Sequence, residues 1–232
     1  MSEKAIDLSP YLGRARDRIY KIGIELEGGW LHLPKGAALT RDTSVHVSTN
    51  LFPHVGELPS LPLDVKEFPV WLKKYYPHKV DGSCGLHVHV SLISATNYQR
   101  LMEPSIFPTT VRYIEEWAYK NNLPPTHPIW ERLRGENEYV QHAFYADQQV
   151  VSKRKEYDRH TKGHRYTLWN FPYARTGTAE CRLLPMMKDH ELATSAIQEL
   201  LRITNAFLLA QAKRDKKVSA MVLDDDAVER EE

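Results

Sequence analysis

Three widely separated segments of this chain share one pattern, in which charged or polar residues alternate with apolar ones. They are Ile22-Gly23-Ile24-Glu25-Leu26-Glu27, Gly85-Leu86-His87-Val88-His89-Val90-Ser91-Leu92 and Thr178-Ala179-Glu180-Cys181-Arg182-Leu183-Leu184. Successive side chains of a β-strand point to opposite faces, so each segment sorts itself into an apolar face and a polar one. Solvent-facing strands ordinarily carry Thr, Lys and Ser. Here the polar faces carry Glu25 and Glu27, then His87, His89 and Ser91, then Glu180 and Arg182. Three such strands predict one sheet whose apolar face is core and whose polar face is a site.

The remaining elements are read from periodicity and punctuation. The first strand is expected over Tyr20–Glu27, with Gly28-Gly29 turning the chain into a second strand near Trp30–Leu33. Val45–Ser48 is a short alternating segment. The proline-rich run Gly56–Leu63 suits only an edge strand or one leaving the sheet. Asp64 can cap a helix through Trp71 and Lys74, which Pro69 should kink or delay. Ser94 or Thr96 can cap another through Leu101, interrupted at Pro104. Thr109–Asn121 reads as a helix with Val111, Ile114 and Trp117 or Ala118 inward.

Residues 122–150 are aromatic and proline-marked, and a basic run at 153–165 precedes a strand over Tyr166–Phe171. The last helix starts at Asp189 or His190 and buries Leu192, Ala196, Ile197, Leu200, Leu201, Thr204, Phe207 and Leu208. Helices fall between runs of strands, which makes the fold class α+β with a mostly antiparallel sheet and helices on its other face. A lead-in at 1–19, in which Leu8–Arg16 can form a short helix, precedes the domain at 20–212. From 213 to 232 a charged, apolar-poor tail is expected to be mobile.

With 232 residues the chain can bury a substantial core as one large domain or two small ones. A formal net charge of +1 disfavours a general nucleic-acid or membrane-surface binder. Two cysteines are too few for a disulfide framework, the charged N-terminus has no apolar signal core, and no apolar run approaches the roughly 20 residues of a membrane span. A soluble cytoplasmic protein is expected.

Two glutamates on one strand face repel each other unless a cation sits between them, and carboxylates without a cysteine cluster select magnesium or manganese. The bland reading is a solvent-facing edge strand. His87 and His89 can bind a metal or the phosphates beside it, or be satisfied structural histidines. Zinc hydrolysis is the competing chemistry, although a cupin needs a glutamate that Val90–Ala95 lacks, and an amidohydrolase needs a longer barrel. Glu180 with Arg182 reads as a ligand beside a phosphate-binding guanidinium, or as a salt bridge. Glu57 alone reads as a loop carboxylate. Arg165 differs from the rest of the basic run because it enters a strand. Cys84 has no dedicated base, so a nucleophilic role is disfavoured.

Six motifs in order resemble the amidoligase family, relatives of glutamine synthetase and glutamate–cysteine ligase among the carboxylate–amine ligases. They are Gly23-Ile24-Glu25-Leu26-Glu27, Asp42-Thr43-Ser44, Gly56-Glu57-Leu58-Pro59-Ser60-Leu61-Pro62, Cys84-Gly85-Leu86-His87-Val88-His89-Val90, Arg165-Tyr166 with Asn170, and Thr178-Ala179-Glu180-Cys181-Arg182. The resemblance covers roughly residues 20–205. It implies a curved glutamine-synthetase-like sheet, ATP, and two or more Mg2+ or Mn2+ ions held by Glu25, Glu27, Glu57, His87 and Glu180.

It also implies that His89 and Arg182 face phosphates, that Arg165 holds phosphate or substrate, and that Asp42 and Ser44 lie near the amine or a metal. Lys153 in the basic run is a further nucleotide-binding candidate. The reaction implied joins a small-molecule or peptide carboxylate to an amine through an acyl phosphate, with homo-oligomers possible and a nucleic-acid-linked substrate left open by the basic run. A non-catalytic nucleotide- or peptide-binding descendant and a metal-dependent amide hydrolase are the alternatives. The chain departs from the family at Leu184-Pro185-Met186-Met187, where relatives turn at Gly-Thr, and in its long segment between Asp42 and Glu57.

Overall fold

A computed structural model describes residues 19–42, 44–48, 50–137, 140, 167–171 and 177–228, with side chains to residue 217. The described elements, in chain order, are β1 (Ile19–Trp30), β2 (His54–Pro59), α1 (Phe68–Tyr75), β3 (Gly85–Leu92), α2 (Ala95–Leu101), α3 (Ile106–Lys120), α4 (Ile129–Arg134), β4 (Trp169–Asn170), β5 (Thr178–Pro185) and α5 (His190–Val228). The strands form one open sheet in the order β2-β1-β3-β5-β4, with every neighbouring pair antiparallel. The protein is therefore α+β, as the alternating segments predict.

Alternation explains the sheet's two faces. Ile22, Ile24 and Leu26 of β1, Leu86, Val88 and Val90 of β3, and Ala179, Cys181 and Leu183 of β5 are all buried. They share one core with Phe68 and Leu72 of α1, Leu101 of α2, Ile114 and Trp117 of α3, and Ile197, Leu200 and Leu201 of α5. Fully burying each of the Val, Leu, Ile and Phe side chains contributes about 1.5–3 kcal/mol, so the apolar face is the main source of stability. A register shift in β5 resolves the one break in its alternation. Leu86 pairs with Leu184 but Val88 with Cys181, so β5 has one residue more than β3 in this stretch. The bulge lets the consecutive Leu183 and Leu184 both be fully buried while Arg182 stays on the polar face.

Several elements differ from expectation. Gly28-Gly29 is not a turn: β1 runs unbroken to Trp30. Those glycines instead admit two other segments closely, because a Cβ on Gly28 would lie 2.7 Å from Pro77 and one on Gly29 would lie 2.8 Å from Val47. The Gly29 N–H also donates to the Lys79 carbonyl. Val45–Ser48 forms no strand, although Val45 and Val47 are buried. Pro69 sits in the first turn of α1, which delays the start to Phe68, and Asp64 pairs with Lys21 rather than capping. Ser94 does cap α2, accepting from the Asn97 N–H. Helix α4 lies inside the segment for which no helix was expected. Helix α5 runs from His190 to Val228, so the charged segment that begins at 213 is helical as far as Val228. The short helix considered near Leu8–Arg16 and the basic run at 153–165 lie outside the described residues. No described helix is long and apolar enough to cross a membrane.

Candidate functional site: a carboxylate–histidine cluster on the sheet

Register brings the expected residues together. Across the sheet, Glu27 stands opposite Glu57, Glu25 opposite His87, and His89 opposite Glu180. Residues directly opposite share a face, so β2, β1, β3 and β5 present these six side chains side by side. Glu57 is thus no isolated loop carboxylate. Its strand position is reached through Gly56, where a Cβ would lie 2.5 Å from the Thr40 carbonyl oxygen, and Thr40 Oγ1 donates to Glu57 Oε1 at 3.1 Å.

Glu25 is the hub. Its Oε2 lies 3.1 Å from His87 Nδ1 and its Oε1 lies 3.0 Å from His89 Nε2. The other edge of His87 faces Glu27, with Nε2 3.5 Å from Glu27 Oε1, and Glu180 Oε1 is 3.7 Å from His87 Nδ1. Glu27 also accepts from the Gly85 N–H. Gly85 is required there by space: a Cβ would lie 2.5 Å from His87 Nε2 and 3.1 Å from Glu27 Oε2. Glu180 is braced on both oxygens, by Arg182 Nη1 on Oε1 and by Asn170 Nδ2 at 2.9 Å on Oε2. His89 Nδ1 lies 3.0 Å from Thr178 Oγ1.

The electrostatics follow from crowding charges in a partly dry site. Burial opposes ionising Glu25, yet hydrogen bonds from His87 and His89 hold its carboxyl well below the usual carboxylate range. Burial likewise opposes Glu180, but the charges of Arg182 and the histidines hold it low. Burial and then the Glu25 charge push Glu57 up to about 7. Burial works against a charged His89, but the Glu25 and Glu180 carboxylates raise its pKa. Arg182, and a His89 whose pKa is raised, thus offset part of the charge of the carboxylates.

The donors group into three overlapping sets, each with its ligand atoms within 4.8 Å of one another: Glu25, Glu57 and His87; Glu25, His89 and Glu180; and Glu27, Asp42 and Glu57. Asp42 therefore joins the cluster from its loop, where its Oδ1 accepts from the Ser44 N–H and Oγ–H at 2.7 and 2.6 Å. His89, which the resemblance implies near phosphates, has its Nε2 among carboxylates as a candidate cation ligand. Arg182 Nε is buried with no hydrogen-bond partner among the described residues. Arg165 and Lys153 lie outside the described residues.

Burial pushes the Cys84 thiol up to about 12, which agrees with the reading that it is no nucleophile. Three supporting residues carried no role in the sequence. Asn170 was quoted only as part of a motif. Thr178 had a visible signal, since it stands two residues before Glu180 on the same strand face. Arg132 had none. It is a fully buried guanidinium on α4 whose Nη1 donates to the Arg182 and Leu184 carbonyls at 3.1 and 3.2 Å and whose Nη2 donates to the Cys84 carbonyl at 3.3 Å. Burial lowers its pKa to about 10, so it remains cationic at neutral pH. No family model matches this chain, and no curated protein or solved structure matches it.

Proposed function

We propose that the protein is an ATP-dependent carboxylate–amine ligase whose sheet is related to that of glutamine synthetase. The observation that carries the reading is the convergence of Glu25, Glu27, Glu57, His87, His89, Glu180 and Arg182 on one sheet face. The donor set fits hard divalent cations. Four glutamates face one arginine, and such an excess of partly buried negative charge is costly unless cations offset it. The two imidazoles favour manganese over magnesium, because nitrogen donors suit later first-row metals better.

Glu25, Glu57 and His87 would hold one ion and Glu25, His89 and Glu180 a second, with Glu25 shared through its two oxygens. Bound cations supply neutralisation of the ATP phosphates and of charge developing during transfer. The protein's own contribution is placement. Asn170 and Arg182 fix the Glu180 carboxylate, the Gly85 N–H and His87 fix Glu27, and Arg182 offers a guanidinium to an anionic group.

The reaction needs activation because a carboxylate has a poor leaving group. A substrate carboxylate oxygen attacks the γ-phosphorus of ATP, the bond to the β,γ-bridging oxygen breaks, and ADP leaves. The amine nitrogen then attacks the acyl carbon of the acyl phosphate, phosphate departs with the C–O electron pair, and the nitrogen gives up a proton. The residues present serve the first step by alignment and charge, which dominate phosphoryl-transfer catalysis.

The test is Mn2+- and Mg2+-dependent ATP turnover with a panel of amino acids, short peptides and amines. ADP and phosphate that appear only when carboxylate and amine are both present support the ligase. AMP and pyrophosphate overturn the acyl-phosphate route. Amide cleavage that needs metal but no nucleotide replaces the ligase with a hydrolase. Nucleotide binding without turnover across the panel points to a non-catalytic descendant.

A further inference from the structure

We infer that Thr178 is a positioning residue for a divalent-cation site: its hydroxyl holds the Nδ1 edge of His89 and so reserves Nε2 for an ion shared with Glu25 and Glu180. This rests on the cation reading of the cluster above. The geometry divides the imidazole into two edges with different partners. Nε2 faces Glu25 Oε1 at 3.0 Å, and Nδ1 faces Thr178 Oγ1 at 3.0 Å. The set of Glu25, His89 and Glu180 offers its ligand atoms within 4.8 Å of one another.

A histidine that ligates through one nitrogen ordinarily donates the other N–H to an oxygen, which fixes both the tautomer and the ring plane. Here that oxygen is Thr178 Oγ1. A hydroxyl oxygen can accept from a ring N–H. With a cation at Nε2, the ring proton resides on Nδ1 and Thr178 Oγ1 accepts from it.

Thr178 is itself held. It stands opposite Ser91 in the β3–β5 ladder, two residues from Glu180, and its carbonyl accepts from Tyr98 Oη at 2.9 Å. Helix α2 thereby fixes the backbone of the residue that orients His89. The same strand supplies a ligand, Glu180, and the support of a neighbouring ligand, and the period of two places both on the site face.

The experiment is Mn2+ titration by calorimetry of full-length wild-type protein and the Thr178→Val and Thr178→Ser variants. Valine keeps the branched shape and removes the hydroxyl, whereas serine keeps the hydroxyl. Wild type is expected to bind in two steps. Thr178→Val weakens one step about tenfold or more, the usual scale for losing a ligand's supporting hydrogen bond, and leaves the other step alone. Thr178→Ser restores the lost affinity. Long-range 1H–15N spectra at a fixed, sub-saturating Mg2+ concentration then show a smaller share of the Nδ1-protonated, Nε2-ligated form of His89 in the valine variant than in wild type and the serine variant.

Wild-type binding that Thr178→Val leaves unchanged overturns the inference and spares the cation reading. Equal weakening of both steps with a lowered melting temperature reduces Thr178 to a packing residue and also overturns it. A wild-type protein that takes up no Mn2+ removes the cation reading and this inference together.

Discussion

At the scale of single residues, the cluster makes Glu25 the most consequential side chain, because both of its oxygens are engaged by different histidines. Glu25→Gln removes the shared charge but keeps the shape. Under the ligase reading it should abolish both Mn2+-binding steps and lower ATP-dependent turnover about 100-fold or more, the scale of losing one preorganised charge-stabilising group. Circular dichroism should stay unchanged, and turnover within a few-fold of wild type would remove the assignment.

Glu57 gives a pH dependence. Its folded-state pKa of about 7 lies above the ordinary 4.5, so the folded protein holds this proton more tightly than the unfolded chain does. In the metal-free protein its contribution to stability is full below pH 4.5 and is lost as pH rises through 7. Cation binding needs the carboxylate, so Mn2+ affinity should climb between pH 6 and 8 and then level. Titrations across that range should find a flatter and weaker profile for Glu57→Gln. Gly85 offers a steric test. In Gly85→Ala the new methyl would meet the His87 ring, which must move, so Mn2+ affinity should fall while the protein loses about 1–3 kcal/mol in denaturant unfolding.

At the scale of elements, the bulge in β5 is what lets one strand serve two faces. It buries Leu183 and Leu184 together and keeps Arg182 beside Glu180. Arg132 of α4 braces this irregular stretch by donating to carbonyls on both sides of it, while the Arg182 N–H donates to the Leu168 carbonyl. Removing Arg132 strips buried carbonyls of a donor, and each carbonyl left unsatisfied costs about 1–3 kcal/mol. Arg132→Met should therefore lower the unfolding free energy by about 3 kcal/mol, and Arg132→Lys should recover part of that. A methionine variant as stable as wild type would show that the guanidinium does not brace the bulge.

At the scale of the whole molecule, the sheet separates stability from chemistry. The helices and the apolar strand faces form the core, and the ionisable cluster occupies the opposite strand positions. Helix α5 packs against α1, α2 and α3, and its Leu200 is fully buried. Leu200→Ala should cost about 2–5 kcal/mol by leaving a cavity. Because Leu200 belongs to the core and not to the cluster, the Mn2+ affinity of the folded variant should match wild type. Chemical denaturation and calorimetry on one preparation check both halves, and a weakened affinity would show that the two faces are coupled.

The sequence by itself determined the alternation, and with it the two-faced strands, the α+β class, the buried stripe of the last helix and the residues that share the polar face. These are local properties, because a period of two or of 3.6 is written in neighbouring side chains. Only the tertiary structure decided which strands are neighbours and in what register, and so which carboxylate meets which histidine. Glu57 looked like a loop residue until β2 paired it with Glu27, and Asp42 joined them from a loop that no periodicity could place. Gly28-Gly29 read as a turn because glycine permits turns, yet here it admits the close approach of Pro77 to Gly28 and of Val47 to Gly29, contacts invisible to any local window. Arg132 shows the same limit most sharply. Nothing near it in the chain marks a buried charge, because what makes its burial tolerable is a set of carbonyls supplied by β5 and by Cys84, just before β3.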